Sequence, residues 1–318
     1  MRPLACSLLL LTSGSSLAAP APSSDTEIGG EISAGYDSNP AQSHDGPELA
    51  FARIAIAAAR QMRLGGSELT VGASGWFRDN ESDNDSSRLT LRTDWSRETA
   101  QGAGLLTLAV AGAAYRDALV PADERNEAAL TLRYGHSLTA RDTLGLLGET
   151  RRLAYINPAL PWSGRPGSAP SGRASNRSEH GRAPAALRRD DWLSSLGLDA
   201  THHWSPTLAT VLTLAAARCD STVSVEAYSR RGIELLMRVA PAPKWHLEFG
   251  LGWALNQYDQ ASQQQEREDI QHAAELALRR TIGHSEWFCR LDWLDSNSTH
   301  AEQSFQQQVI GCGLARSF

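Results

Sequence analysis

Apolar and polar residues alternate along most of the chain after residue 26, in runs separated by polar or glycine-containing segments. Successive side chains of a strand point to opposite faces, so each run predicts a β-strand with one apolar and one polar face. About 14 runs occur, each near the roughly 9 to 11 residues that a tilted membrane-spanning strand needs. The clearest covers 245–257, where one parity is apolar throughout: Trp245, Leu247, Phe249, Leu251, Trp253 and Leu255.

The final segment, 305–318, has an apolar parity and a parity of small or polar residues, and it ends on an aromatic residue, Phe318. The apolar parity contains Ile310, Cys312 and Leu314. This segment resembles the closing strand of bacterial outer-membrane β-barrels, in which a terminal phenylalanine is the familiar mark.

The lengths of the connections between predicted strands form a second pattern. Connections after even-numbered strands are short, whereas most of those after odd-numbered strands are longer and polar. Outer-membrane barrels place short turns in the periplasm and long loops outside. The sequence therefore predicts an all-β chain: a single antiparallel transmembrane barrel of about 14 strands over 27–318, with both termini periplasmic. A water-soluble β-sandwich, the alternative, would not produce this asymmetry.

The amino-terminal residues have the features of a secretory signal peptide. Arg2 precedes an apolar run at 8–11, and small residues lead to a cleavage motif ending at Ala18. We therefore expect residues 1–18 to be removed and residues 19–26 to form a short periplasmic lead to the barrel in the outer membrane of a Gram-negative bacterium.

Composition excludes several classes of function. The net charge of -6 points to no particular partner and gives no reason to expect nucleic acid. No run of about 18 apolar residues predicts a membrane-spanning helix. The cysteines form no Cys-x-x-Cys or Cys/His cluster, so we expect no metal site and no cofactor. Histidines occur without a serine-centred motif or paired carboxylates, so we expect no catalytic residues and no enzyme.

Charges of both signs lie on the polar parity of the predicted strands. Buried charges persist only when they are paired or hydrated, and a wet lumen satisfies that condition. Either they select a solute or they hold a narrow pore together. The predicted lumen charges are Glu31, Arg92, Asp94, Arg133, Glu234, Arg238, Glu248, Glu275, Arg279, Arg290 and Asp292.

Aromatic residues recur near the predicted strand ends, where outer-membrane barrels carry interfacial girdles. We assign nine residues to these girdles: Trp95, Trp192, Trp204, Trp245, Trp287, Trp293, Tyr115, Tyr134 and Tyr258.

The longest interruption, 156–189, is predicted to be an extracellular loop rich in Pro, Gly, Ser and Ala. Its arginines are Arg165, Arg173, Arg177, Arg182, Arg188 and Arg189. It is either a flexible solvated loop, or a basic patch for lipopolysaccharide or an anionic cargo, or a plug folded into the lumen.

Cys289 and Cys312 fall on adjacent predicted strands and on the same outward parity. If Ser296 pairs with Phe305 across the last hairpin, the two cysteines are directly opposite, within disulfide range. The oxidising periplasm allows a bridge there, and two buried free thiols are the alternative.

The first predicted strand contains Gly35, Tyr36, Asp37, Ser38 and Asn39 in succession. This run resembles the opening strand of the barrel in surface lipoprotein assembly modifiers, which have a 14-stranded carboxyl-terminal barrel. The resemblance implies a translocation or export channel, with an exported lipoprotein or polysaccharide as partner. Family members usually carry a periplasmic helical-repeat domain before the barrel, and here only 19–26 precedes the first strand.

Two other functions stay open: a narrow diffusion porin, and a structural or adhesion barrel acting through its loops. In each case the expected partners include outer-membrane lipid, lipopolysaccharide and the barrel-assembly machinery.

Overall fold

The computed structural model describes residues 26–82, 84–157, 188–259 and 266–318. The predicted signal peptide, nearly all of the predicted lead, and Arg165, Arg173, Arg177 and Arg182 of the basic loop lie outside these residues. Fourteen strands cover most of the described chain: β1 (Thr26–Asp37), β2 (Leu49–Leu64), β3 (Ser67–Asn80), β4 (Ser86–Thr99), β5 (Gly104–Asp117), β6 (Arg125–Ser137), β7 (Asp142–Tyr155), β8 (Asp190–Ser205), β9 (Leu208–Ser221), β10 (Tyr228–Ala242), β11 (Trp245–Tyr258), β12 (Glu268–Ile282), β13 (Ser285–Ser298) and β14 (Phe305–Ser317).

The strands form one closed antiparallel barrel. Each strand pairs with its neighbours in sequence, and β1 pairs with β14 to complete the circle. Closure leaves no unpaired sheet edge, which is the condition for a β-structure to cross hydrocarbon. The predicted fold class is therefore confirmed. Within the described ranges, no helix is long and apolar enough to span a bilayer.

The outer surface of the barrel is apolar. Large aliphatic side chains there are strongly exposed, including Ile56 at 62%, Leu91 at 60% and Leu196 at 65%. Contiguous apolar surface on this scale is unfavourable in water and is expected where a protein faces lipid. The opposite parity of each strand lines the interior and is called the lumen face below.

The two ends of the barrel differ in their connections, as the sequence predicts. Tight turns join β2 to β3 and β12 to β13, with Gly65 and Gly283 in the left-handed region at φ +63° and +61°. Glycine adopts this conformation without steric cost. Longer connections, such as 38–48 and 118–124, lie at the other end, called the loop end. Both chain ends of the barrel lie at the end with the tight turns, called the turn end.

Seven of the nine aromatic residues assigned to girdles lie on the outward parity, but Tyr115 and Tyr258 do not. Tyr115 pairs with Arg88 and Arg125 on the lumen face. Tyr258 is buried against Tyr228. The girdle assignment of these two residues is therefore wrong, because nearness to a strand end does not determine on which face a side chain lies.

The last hairpin has the register considered for the cysteines: Ser296 pairs with Phe305, and Cys289 pairs with Cys312. A disulfide joins the two cysteines, whose Cα atoms are 4.1 Å apart. Such a short separation is typical of a directly opposed pair that does not exchange backbone hydrogen bonds. The bridge lies on the outward face and ties β14, the closing strand, to β13.

We expect the double variant C289S/C312S to lose stability, because the bridge restricts the unfolded chain. The cysteines are 23 residues apart, and a loop of that size corresponds to about 3 kcal/mol. The urea midpoint of the folded barrel in detergent measures the change. Reductant should shift the wild-type midpoint by a similar amount and leave the double variant unaffected. If reductant does not change the urea midpoint of the wild type, the disulfide does not stabilise the barrel.

Candidate functional site

All eleven charged residues predicted for the lumen lie on the lumen face, as the strand registers place them. Most of them form ion pairs with neighbours on the same or nearby strands. The pairs are Arg53–Glu31 (2.6 Å), Arg92–Asp94 (2.6 Å), Arg133–Asp199 (3.6 Å), Arg238–Glu248 (3.1 Å), Arg279–Glu286 (2.9 Å), Arg290–Glu275 (3.3 Å) and Arg290–Asp292 (2.8 Å). Sequence reasoning missed Arg53, Asp199 and Glu286, although the same alternation identifies them.

Three arginines of the lumen face remain open to water: Arg92 at the middle of β4, and Arg133 and Arg238, each four residues from the turn end of its strand. The side chains of Arg92, Arg133 and Arg238 are 51%, 50% and 47% exposed, although they point into a closed barrel. Such values require free space beside the side chains. An ion pair in this setting is hydrated and avoids the large desolvation cost of a dry interior. The lumen between mid-strand and the turn end is therefore wet and charged.

One wall of the lumen carries an excess of carboxylates. On β10 to β13 the lumen face has six carboxylates, Glu234, Glu248, Asp269, Glu275, Glu286 and Asp292, against four arginines, Arg230, Arg238, Arg279 and Arg290. Arg267, directly before β12, neutralises Asp269, so the excess is one carboxylate. Glu234 lies opposite Thr213 on β9 and Gly252 on β11. No ion pair to Glu234 is present among the described residues.

At the loop end of the lumen, the ion pairs are buried. Arg189 contacts Asp191 at 2.6 Å and Glu226 at 3.3 Å, and its guanidinium lies 4.5 Å from the ring centre of Tyr155. These partners come from β7, β8 and the connection between β9 and β10, so one arginine joins three parts of the rim. We call this rim the mouth.

A second buried arginine, Arg267, has similar partners in the connection between β11 and β12. Arg267 pairs with Asp269 at 2.5 Å and lies 4.0 Å from the ring centre of Tyr258. Tyr258 in turn packs with Tyr228 and Cys219, a free cysteine. Aromatic rings thus pack against both arginines. The mouth is therefore packed, whereas the lumen below it is open.

Burial changes the ionisation of acidic groups in the mouth. Burial raises the pKa of Asp123 to about 6, although Arg125 acts in the opposite direction. Burial also raises the pKa of Glu226, opposed by Arg189 and Arg267. For Asp123, a pKa raised in the folded state means that its contribution to stability is lost as the pH rises from its ordinary 3.8 to about 6.

The basic loop is described only at its ends. Arg189 faces the mouth and is neutralised by Asp191 and Glu226, so it is not a free positive charge. The carbonyl oxygen of Arg188 accepts a hydrogen bond from Thr222. No sequence pattern predicts the pairing of Arg189 with Glu226, which lies 37 residues further along the chain.

The five-residue run, 35–39, covers the end of β1 and the first two residues after it, at the seam where β1 meets β14 and the barrel closes. Gly35 pairs with Gly311, and a Cβ at Gly35 would lie 2.0 Å from the carbonyl oxygen of Ile310. Real atoms do not approach this closely, so the position requires glycine. The ring of Phe51 covers the space on the lumen face that a side chain would otherwise fill.

Asp37 is the most deeply buried residue of the run and is only 1% exposed. Its carboxylate accepts hydrogen bonds from Arg78 at 3.0 Å, from Gln307 at 2.8 Å and from the backbone of Asn39 at 3.1 Å. Arg78 lies on β3 and Gln307 on β14. One buried carboxylate therefore connects three strands across the seam.

The neighbouring residues extend the seam beyond the last ladder pair. Ser38 exchanges hydrogen bonds with Gln308, and the Asn39 side chain donates to the carbonyl oxygens of Gln306 and Ser43. Tyr36 points outward and donates to Glu48. At the turn end, the backbone N–H of Phe318 donates to the carbonyl oxygen of Ile28. Hydrogen bonds from residues 37–39 thus hold β1 to β14 at the loop end of the seam.

No family model matches this chain, and no curated protein matches its sequence. Solved structures match its fold at low identity. A loop-deleted form of OmpT, an outer membrane protein of Vibrio cholerae, is 8% identical with a TM-score of 0.54, covering 92% of this chain and 99% of that one. OmpT of Vibrio cholerae expressed in the outer membrane is 8% identical with a TM-score of 0.53, covering 93% of this chain and 99% of that one.

A structure described as a bacterial polysaccharide outer membrane secretin is 9% identical with a TM-score of 0.53, covering 92% of this chain and 98% of that one. The chain therefore has the fold of outer-membrane β-barrels. These likenesses concern the fold alone.

We expect Asp37→Asn to destabilise the barrel by about 3 kcal/mol, because it removes a buried negative charge and leaves the Arg78 guanidinium without its carboxylate partner. Heat-modifiable migration on gels and the urea midpoint measure the loss. Asp79→Asn is the matched control, since Asp79 is exposed on the outward face, one residue before the loop end of β3. Equal stability of the two variants would show that the seam does not depend on Asp37.

Proposed function

We propose that this chain is a water-filled transport channel in the outer membrane of a Gram-negative bacterium, with both termini and the short turns on the periplasmic side. The observation that supports it most strongly is the exposure of arginines inside the closed barrel, near one half for Arg92, Arg133 and Arg238. A barrel filled by its own side chains would bury these groups.

The size of the barrel agrees with a channel. With strands about 4.8 Å apart and tilted by about 40°, fourteen strands close into a cylinder of roughly 28 Å backbone diameter. Eight-stranded barrels are filled by side chains, and barrels of 16 to 18 strands hold an aqueous channel. Fourteen strands with long arginines inside leave a narrower passage, and the packed mouth narrows it further.

The charge of the lumen wall favours the passage of small cationic or neutral polar solutes. Carboxylates exceed arginines on β10 to β13, and Glu234 forms no ion pair among the described residues. A ring or wall of acidic side chains raises the local concentration of cations and so selects for them. We therefore favour a narrow, weakly cation-selective pore.

Planar-bilayer recordings of the refolded protein should show steady conductance with a cation-to-anion permeability ratio above one. A unit charge about 7 Å from a permeating ion is worth about 0.6 kcal/mol in water, which is a factor of two to three in local concentration. Glu234→Gln should therefore lower the ratio by roughly twofold.

Asp79→Asn, which removes a carboxylate from the outward face, should leave the permeability ratio unchanged. A ratio at or below one in the wild type would contradict cation selectivity, and the absence of conductance would contradict the open channel.

Export is the second candidate function, and two observations favour it. The run from Gly35 to Asn39 is similar to the opening strand of surface lipoprotein assembly modifiers, and one solved barrel of similar fold is described as a polysaccharide secretin. In this proposal the lumen passes a lipoprotein or polysaccharide, and the arginines of 156–189 bind an anionic cargo or lipopolysaccharide.

Deleting residues 164–185 separates these functions. An exporter closed by this segment should be silent when intact and conduct after the deletion, and it should lose binding to an anionic polysaccharide. A diffusion pore should conduct equally in both forms. Silence in both forms, with the fold intact by heat-modifiable migration, would leave a structural or adhesion barrel acting through its loops.

Assembly into the membrane requires a further partner. The Phe318 side chain is 74% exposed although its backbone is bonded to β1. We propose that the barrel-assembly machinery binds this terminal aromatic residue together with the apolar face of β14.

A further inference from the structure

The outward face of β7 to β11 contains an open groove of about 480 Å³. Ala216 forms its floor, because it is the small residue between Leu196 on β8 and Arg231 on β10. Leu198, Leu214 and Ile233 are among the side chains that form its walls. The groove is apolar along its length and has one charged residue, Arg231, which lies towards its loop end.

Arg231 is unusual among the charged residues of the outward face near the loop end. It is exposed, it lies three residues inside β10, and no carboxylate pairs with it in the parts of the chain that the structure describes. An arginine on the lipid-facing surface of a barrel costs up to about 2–4 kcal/mol at mid-bilayer and less near the interface. A partner in the membrane that carries negative charge would offset this cost.

The surroundings of Arg231 resemble an interfacial headgroup site. Trp253 lines the groove one strand away, opposite Ile233. Arg218 lies on the neighbouring strand, paired with Asp220 and Asp259. Tryptophan is favoured at the membrane–water interface, where its ring contacts both lipid chains and headgroups.

We propose that the groove and Arg231 form a binding site for one anionic lipid of the outer leaflet, a phosphorylated glycolipid. An acyl chain lies in the groove against Leu198, Leu214 and Ile233. The phosphate accepts hydrogen bonds from Arg231, whose planar guanidinium suits bidentate contact with phosphate oxygens. The site rests on the proposed orientation, which puts the loop end at the outer leaflet.

Charge complementarity favours a lipid over a second copy of the chain. A two-fold contact centred on this face would bring two Arg231 side chains together, and Asp220 and Asp259 are already occupied by Arg218. Like charges facing each other are destabilising. A phosphate supplies the missing negative charge, and its acyl chain covers the apolar groove.

Binding can be measured by native mass spectrometry and thermal shift on the full barrel in neutral detergent. The probes are a bisphosphorylated lipid A, the same lipid without phosphates, and inorganic phosphate alone. We expect the wild type to bind the phosphorylated lipid at a 1:1 ratio and Arg231→Gln to bind it at least about tenfold more weakly, the scale of one charge-assisted contact. Arg231→Lys should retain part of the affinity.

Arg60→Gln is the matched control, because Arg60 is an exposed, outward arginine near the turn end. It should bind the phosphorylated lipid like the wild type. The lipid without phosphates should bind equally weakly to all variants, and inorganic phosphate alone should give no shift.

Three results would overturn the proposal: equal affinity of Arg231→Gln and the wild type for the phosphorylated lipid, binding of inorganic phosphate as strong as that of the lipid, or an oligomer that Arg231→Gln dissociates. Conductance of the wild type in the same preparation reports on the lumen independently. A silent protein that still binds lipid through Arg231 would count against the channel and not against this site.

Discussion

The backbone of a strand in hydrocarbon has no water to bond with, so every N–H and C=O must find a partner in the protein. This constraint makes the seam between β1 and β14 the critical contact of the molecule, because it converts a sheet with two edges into a barrel with none. The closest packing in the seam occurs at Gly35, beside the Ile310 carbonyl. Asp37 and Asn39 then extend the bonding past the last ladder pair, and the disulfide holds β14 to its other neighbour.

Closure also separates two solvents, and the alternation of the sequence distributes side chains between them. Aliphatic residues such as Leu91 and Leu196 face lipid, while the charges on the other parity face an interior wide enough for water. A charged residue is therefore favourable on the lumen face and costly on the lipid face, although the two positions are adjacent in the sequence. Arg230 is buried on the lumen face, and Arg231 next to it is exposed on the lipid face.

The barrel, its strand number and the lumen position of residues such as Glu31 and Asp292 could be predicted because they follow from a period of two, which local sequence records directly. The same period put Cys289 and Cys312 on one face, but it does not select the register. The pairing of Ser296 with Phe305, which brings the cysteines together, was only a condition of the sequence interpretation, and the structure supplies it. The mouth could not be predicted. Contacts such as Arg189 with Glu226 depend on how irregular connections fold over the rim, and no period describes them. Tyr258 was misassigned because a strand-end aromatic is equally compatible with either face.

Ion pairs of the same composition have different roles at different depths in this barrel. Between mid-strand and the turn end, Arg92 and Arg238 are about half exposed, so each pair contributes little to stability and mainly shapes the electrostatic field of the lumen. In the mouth, Arg189 and Arg267 are buried against carboxylates and tyrosine rings. Removing one partner there would leave an uncompensated charge, so these pairs fix the positions of the connections. The mouth is therefore the packed part of the lumen, and the hydrated charges lie below it.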